Sequence, residues 1–351
     1  MDESNRQSKA VSSPQTLFAT VIWLNRQPRV AVRWVMFAIF GVAVCAAQEN
    51  ARSFADGRFA LEKGDVVVFL GGENTVIESE TSHLESLLTA AFAGRGVRYR
   101  NMGWEADTAF AQPREVNFPT IPQQLRRVEA TVVFAQFGQM ESLRGTAALP
   151  EFVAAYEKLL DELAKQTPRI ILITPNPFER TDNPLLPDLT AHNTALKLYA
   201  EAIRGLARRR GCLCVDLFGE LSKVGAKRPH LTDNGFRVTP RGQAIVSQII
   251  ARKLGIGGTA DRAGSSDLAG AWSSQSFEKV RQTIMAKNRL WFSYWRPTNW
   301  AFLGGDRTEQ PSSRDHRDPK IRWFPEEVKQ FLPMIEAKER EIEDWGKMRG
   351  K

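Results

Sequence analysis

The sequence predicts a three-layer α/β/α sandwich around a parallel sheet, and three observations carry that prediction. Five short apolar runs rich in β-branched residues recur along the middle of the chain, helical patterns separate them, and polar, glycine-bearing segments follow the first three. Strands separated by helices at this spacing need right-handed parallel crossovers, and continuous apolar runs imply a sheet covered on both faces.

The runs are Val66 to Leu70, Val97 to Met102, Thr131 to Phe137, Ile170 to Thr174 and Cys212 to Leu217. Residues 81–93 set Leu84, Leu87, Leu88 and Phe92 on one helical face, and residues 151–164 space Phe152, Tyr156, Leu159, Leu160 and Leu163 by three and four. Residues 192–208 repeat the pattern. Arg208-Arg209-Arg210 then reads as a last helical turn before Gly211, where cations oppose the negative helix end. Residues 240–254, opened by Pro240, supply a final helix.

In such sheets ligands bind beyond the carboxyl ends of the strands. The candidate site is therefore assembled from Gly71-Gly72-Glu73-Asn74, from Gly103-Trp104-Glu105-Ala106-Asp107-Thr108, from Gly138-Gln139-Met140-Glu141-Ser142, and from "HLTDNGFRVTPRG" at 230–242.

A chain of 351 residues, 42% hydrophobic and 25% charged, can bury one substantial core with an appendage. Its formal charge is +8, but Lys and Arg are scattered and no basic motif has interleaved aromatics, so nucleic acid is not an expected partner. No cofactor and no metal site is expected. Cys212 and Cys214 lack further ligands nearby and read as small buried residues on one face of a strand.

Residues 34–47, "WVMFAIFGVAVCAA", follow Arg26, Arg29 and Arg33 and end in small residues, which reads as an export signal over 1–47 cleaved after Ala47. The stretch is shorter than the about 18 to 20 residues of a membrane span. An uncleaved anchor is the alternative, and only then is a membrane a partner. Val44 is too large for the residue before a lipoprotein cysteine at Cys45. The expected location is periplasmic or extracellular. The expected divisions are a linker at 48–61, an α/β domain at 62–255, a Gly/Ser/Ala-rich flexible linker at 256–270 and a helical extension at 271–351. Six of the nine Trp lie in the extension, where packing against the main domain is the expected role, ahead of sugar binding.

The order and spacing of the site segments resemble the SGNH (GDSL-type) hydrolase family over residues 62–255, and the tail from Gln282 to Glu341, with Trp295-Arg296-Pro297-Thr298-Asn299, resembles an extension in one bacterial branch. The resemblance implies a doubly wound, flavodoxin-like sheet, a serine nucleophile after the first strand, an oxyanion hole from a Gly and an Asn after the second and third, and an Asp-x-x-His before the last helix. Here the nucleophile position falls on Glu73 and the base position on Arg237, with Asn234 in place of the Asp and Asp233 one place off. Gly103 keeps the oxyanion glycine, while the Asn position is Met140. Gly72, Asn74, Asp107, Gly138 and Glu141 complete the expected cleft.

Arginine, with a pKa above about 12, cannot take and return a proton near neutrality, and the substituted pair has opposite charges. The sequence thus points to an exported SGNH-fold pseudoenzyme that binds a small-molecule, carbohydrate or protein ligand, with a Glu73–Arg237 contact where the Ser–His contact would be. An ester hydrolase with a rearranged site, using Thr75 or Ser142 with His230, is the alternative. Glu73 and Asp107 as paired carboxylates for glycoside hydrolysis is a third reading. Of the remaining histidines, His83 and His192 belong on helix surfaces or at helix starts, and His316 in a charged loop.

Overall fold

Five strands make one parallel sheet: β1 (Val66–Gly71), β2 (Arg98–Asn101), β3 (Val132–Gln136), β4 (Ile170–Ile173) and β5 (Leu213–Val215). Their order is β2-β1-β3-β4-β5, the doubly wound flavodoxin-like arrangement, and it puts the switch point between β1 and β3. The structure is a computed structural model that describes Phe54, residues 57–224 and residues 229–349, so the expected export signal lies outside the described residues. All the described residues fall in one compact unit.

Side chains alternate across the strands and so supply two cores. Val68, Leu70, Val133, Ala135 and Leu172 face Phe152 and Tyr156 of α4 (Leu149–Ala164) and Tyr199 and Ile203 of α5 (Asn193–Arg210). The intervening Val67, Phe69, Phe134 and Ile171 face Ile77 of α1 (Glu73–Thr81), Leu84 and Leu88 of α2 (His83–Ala91) and Val246 and Ile250 of α7 (Pro240–Lys253). The shorter α3 (Ile121–Arg127) and α6 (Leu217–Val224) complete the layers. Gly211 caps α5 in the left-handed conformation, as the arginine run before it suggests.

Three expectations need correction. Residues 256–270 are not a flexible linker: they contain α8 (Gly257–Ala263), whose Ala260 and Ala263 are buried with Leu87, Trp272 and Phe277. Of the expected 48–61 linker, the described Phe54 and Leu61 are instead buried in the second core. Cys214 is exposed and Cys212 only half-buried, because β5 is an edge strand of three residues.

The extension adds α9 (Gln275–Trp295), α10 (Trp300–Leu303), α11 (Trp323–Lys329) and α12 (Phe331–Arg349). Pro333 falls in the first turn of α12, where its missing N–H breaks no helical bond, so the helix runs on uninterrupted. Trp291 and Trp295 join the first core, and Trp272 packs with α2 and α8. Trp345 sits against Val280 and Ile284. The expected packing role of these aromatics is what the structure displays.

Polar residues fasten the extension as firmly as apolar ones. Lys287, 1% exposed, forms an ion pair with Glu85, 2% exposed, and also donates to the Tyr99 carbonyl at 3.2 Å. Asn288 donates to Glu85 (2.9 Å) and Ser82 (3.0 Å), and Trp291 donates through Nε1 to the Asn101 carbonyl (2.8 Å). His83 is at a helix start, yet fully buried rather than on a surface: its Nε2 lies 2.6 Å from the Gly270 carbonyl oxygen.

Candidate functional site

β1 ends at Gly71 because the chain there has no room for a side chain. A Cβ at Gly71 would stand 2.2 Å from Thr75 Oγ1 and 2.6 Å from the Gln136 carbonyl oxygen. Gly72 follows as the N-cap of α1, and Glu73 is the first helical residue, where the positive helix end favours a carboxylate. Gly103 lies against the same turn, with its would-be Cβ 2.9 Å from the Val76 nitrogen. The close approach of β2's exit to α1 therefore depends on glycine at 103, and that of β1's end to α1 and β3 on glycine at 71.

Glu73 meets Arg237 directly. Arg237 Nε is 2.8 Å from Glu73 Oε1, an ion-pair distance, although the N–H is not aligned on the oxygen as a hydrogen bond. Glu80 (3.6 Å) and Asp233 (3.9 Å) bring two further carboxylates to the same guanidinium. Burial pushes the Glu80 carboxyl upward, with Arg237 opposing it.

Asn74 is the clamp of the site. Its Nδ2 donates to Gln139 Oε1 (2.9 Å) and to the Phe236 carbonyl (3.4 Å), while its Oδ1 accepts from the Val238 N–H (3.2 Å). One amide thus ties the loops after β1, after β3 and before α7. Asn234 works within its own loop, its Oδ1 accepting from the Phe236 (3.2 Å) and Arg237 (2.8 Å) N–H groups. Asp233 donates its N–H to the Arg237 carbonyl at 3.2 Å.

Backbone N–H groups at and beside the expected oxyanion positions are committed within the fold. The Gly103 N–H donates to Asn101 Oδ1 at 2.8 Å, and the next N–H, of Trp104, donates to the Gly71 carbonyl at 3.0 Å. The Gly138 N–H donates to Glu141 Oε2 (2.8 Å), whose other oxygen accepts from the Ala109 N–H (2.7 Å). Glu141 is buried and its pKa is raised by burial, opposed by the N–H groups it accepts from. Met140 is 38% exposed and has no polar side-chain donor.

Asp107 lines the same cleft as Glu73, Gly138 and Met140. Arg114 holds it through two bonds of 2.6 and 2.7 Å, and burial raises its pKa against that pairing. The extension reaches this loop: Arg296 lies over the Trp104 ring at 3.7 Å and pairs with Glu105 at 2.7 Å, while Trp295 packs edge-on against Trp104. The cleft itself holds 30 Å³, room for a water or two.

The residues of a rearranged esterase are not assembled in this way. Thr75 is buried within α1, its Oγ1 close against Gly71, and Ser142 is fully buried with its hydroxyl donating to the Gln139 carbonyl at 2.7 Å. The His230 side chain is 68% exposed, and its nearest carboxylate is Glu179 at 4.0 Å. Among the described residues, no three His, Cys, Asp or Glu side chains converge as metal ligands.

Two organising residues escaped the sequence reading. Glu179 accepts from the Leu231 and Thr232 N–H groups (both 2.9 Å) and the Thr232 hydroxyl (2.7 Å), which shapes the loop carrying Arg237. It stands in "PNPFER", the polar segment after the fourth strand, where the rule that led to the other loops also applies. Asn101 closes β2, and its role follows from a polar residue at the end of an otherwise buried strand.

A parallel 2-1-3-4-5 sheet with its cleft between the loops after β1 and β3 defines a flavodoxin-like α/β domain of the doubly wound class. The model of the GDSL-like lipase/acylhydrolase family matches residues 71–245, and the α/β domain of this chain belongs to that family of SGNH hydrolases. Among solved structures, a gut microbial diltiazem-metabolizing enzyme is 12% identical with a TM-score of 0.52, over 83% of this chain and 96% of that one. The acetylxylan esterase Axe2 from Geobacillus stearothermophilus is 17% identical (TM-score 0.44, 56% of this chain and 97% of that one). An α/β hydrolase enzyme from the metagenome of Lake Arreo, Spain, is 18% identical (TM-score 0.44, 56% and 98%). No curated protein sequence matches the chain.

Proposed function

We propose that this chain is an exported SGNH-fold protein that has exchanged Ser–His ester hydrolysis for ligand or partner binding at the former active-site cleft. The observation that carries the reading is the Glu73–Arg237 ion pair at 2.8 Å, which occupies the nucleophile and base positions with groups unable to perform acyl transfer. An acyl enzyme needs a nucleophile, a base that cycles its proton, and N–H donors free to receive an oxyanion. Glu73 and Arg237 supply neither of the first two, and the N–H groups of Gly103 and Gly138 already donate to Asn101 and Glu141.

What persists is a recessed, charged surface held by Asn74, Glu141 and Glu179. Arg237 with its three carboxylates and the exposed Met140 form the face that a ligand would meet. Glycoside hydrolysis by Glu73 and Asp107 gains no support, since each carboxylate faces its own guanidinium and no free acid–base pair remains. The test is turnover of p-nitrophenyl acetate by the purified mature protein. Its rate should equal that of a Glu73→Ala variant; a clearly higher rate that disappears on Thr75→Val or His230→Ala would establish the rearranged esterase instead. Mass spectrometry of the exported fraction should find an N-terminus near Gln48, and a chain retaining residues 1–47 in the cytosol would contradict export.

A further inference from the structure

Residues 102–120 join β2 to α3 with no helix or strand among them. Irregular connections longer than about 12 to 15 residues are uncommon in compact domains, and those that occur usually serve as lids or binding loops. Within this one, residues 105–118 are bonded chiefly to one another. Arg114 holds Asp107 by two bonds, the Thr108 N–H donates to the Ala111 carbonyl (3.0 Å), and the Ala111 N–H returns to Thr108 Oγ1 (3.1 Å). The Phe118 N–H donates to the Glu115 carbonyl (3.0 Å). A loop packed by its own groups keeps its shape and can move as one body.

The polar ties that leave this segment go to few places. At its near end the Asp107 N–H donates to the Trp104 carbonyl (2.9 Å), and the Ala109 N–H donates to Glu141 of the α/β domain (2.7 Å). The extension supplies the others: Arg296 pairs with Glu105 (2.7 Å), and Trp300 Nε1 donates to the Val116 carbonyl (2.9 Å). Trp104 lies between two guanidinium groups, Arg296 at 3.7 Å and Arg114 at 4.3 Å, and the Trp300 ring meets Phe118 edge-on at 4.8 Å. Asn117, exposed and in the left-handed conformation, turns the far end.

The segment is also a shared wall. Its Asp107 lines the 30 Å³ cleft beside Glu73, while Ala109, Phe110, Gln112, Arg114 and Phe118 line a groove of 330 Å³ against Leu159 of α4. The first space holds water alone, whereas the second reaches the lower end of small-molecule sites, about 300 to 1,000 Å³. Outward movement of the wall joins the two.

We propose that residues 105–118 form a lid over the Glu73 cleft and that the C-terminal extension latches it shut, through Arg296 on Trp104 and Glu105 and through Trp300 on Phe118 and Val116. Water reaches the latch, since the Arg296 side chain is 21% exposed and that of Glu105 45%, so these contacts break at less cost than those of the buried sheet. Closed, the lid confines the cleft to water; open, it admits a small molecule. The proposal concerns access, and it holds whether the cleft binds or hydrolyses what enters.

Native-state hydrogen exchange of the full chain, resolved to single amides by NMR, tests the lid without a ligand. Lifting the lid frees the Ala109 N–H from Glu141, carries the Thr108–Ala111 bond along intact, and leaves the Val133 N–H on the Arg169 carbonyl in the sheet. Arg296→Ala removes a cation–π contact and an ion pair, so exchange at Ala109 should quicken about tenfold while Thr108 and Val133 keep their rates. Trp300→Phe keeps a ring on Phe118 and loses only the Nε1 bond, so Ala109 should quicken about threefold. An unchanged Ala109 rate in both variants would overturn the proposal. So would Thr108 quickening in step, because the segment would then unravel instead of moving whole. Val133 quickening in step would overturn it too, because the extension would then support the entire fold and latch nothing.

Discussion

Two buried groups at the junction of α1 and α2 give the protein opposing pH dependences, and removing one should expose the other. Glu78 is held by the Glu85 N–H (2.9 Å) and Gln243 Nε2 (2.7 Å), but burial dominates and lifts its pKa from 4.5 to about 7. His83 is driven by burial from 6.5 down to about 3, with the nearby Arg281 reinforcing the shift and the Gly270 carbonyl and Glu278 opposing it. Between pH 4.5 and 6.5 the folded protein keeps the Glu78 proton that the unfolded chain releases, so this group makes stability fall as pH rises. His83 does the reverse over the same window: the unfolded chain binds a proton that the folded state refuses, so stability rises with pH. At 1.36 kcal/mol per pH unit the full effects are about 3 kcal/mol for Glu78 and about 5 kcal/mol for His83. Over the shared window each contributes a slope near one proton, and the two largely cancel. In Glu78→Gln the His83 slope stands alone, and stability should climb by about 1.4 kcal/mol per pH unit relative to the unsubstituted protein. Urea unfolding followed by tryptophan fluorescence at pH 4.5, 5.5 and 6.5 measures this difference. Equal slopes for the two proteins would refute the reasoning, because Glu78 would then hold the same proton count folded and unfolded.

Lys287→Met should cost about 3 to 5 kcal/mol by leaving Glu85 charged and unpaired, and adding Glu85→Gln should recover part of that in a double-mutant cycle read by urea unfolding. Trp291→Ala should cost about 3 to 5 kcal/mol, since the ring is 3% exposed and its Nε1 donates to the Asn101 carbonyl; thermal unfolding checks it. Arg237→Ala should cost less than about 1 kcal/mol by the same assay, because the Arg237 side chain is 40% exposed and water screens its ion pairs.

The sheet was legible because its strands are uninterrupted apolar runs, and each lies within a residue or two of where the pattern puts it, except β5, which keeps only Leu213–Val215 of the expected Cys212 to Leu217. Helix α1 was not legible. It buries Thr75, Glu78 and Thr81 alongside Val76 and Ile77, so hydrophobic periodicity gives no signal there, and Ser82 in the left-handed conformation separates it from α2. The docking of the extension was hidden for a related reason. Glu85, Lys287, Asn288 and Arg281 are residue types normally found at the surface, and only the fold reveals that Lys287 and Asn288 both meet Glu85 inside while Arg281 donates to the Thr81 carbonyl. At the site, block spacing singled out Glu73, Gly103, Gly138 and Arg237, and the structure sets Glu73 against Arg237. What spacing cannot disclose is that the Gly103 and Gly138 N–H groups are already committed, because that depends on where the Asn101 and Glu141 side chains turn.

Covalent labelling by a fluorophosphonate probe, mapped by peptide mass spectrometry, asks most directly whether the chain retains an activated hydroxyl nucleophile. A probe of this kind reacts with a serine or threonine whose proton is taken by a partnered base. With Glu73 and Arg237 paired, Thr75 packed against Gly71 and Ser142 donating to Gln139, the native protein should show no more adduct than the same chain unfolded in urea. A stoichiometric, fold-dependent adduct on Thr75 or Ser142 would contradict the proposed loss of acyl-transfer chemistry and restore the chain to the working hydrolases.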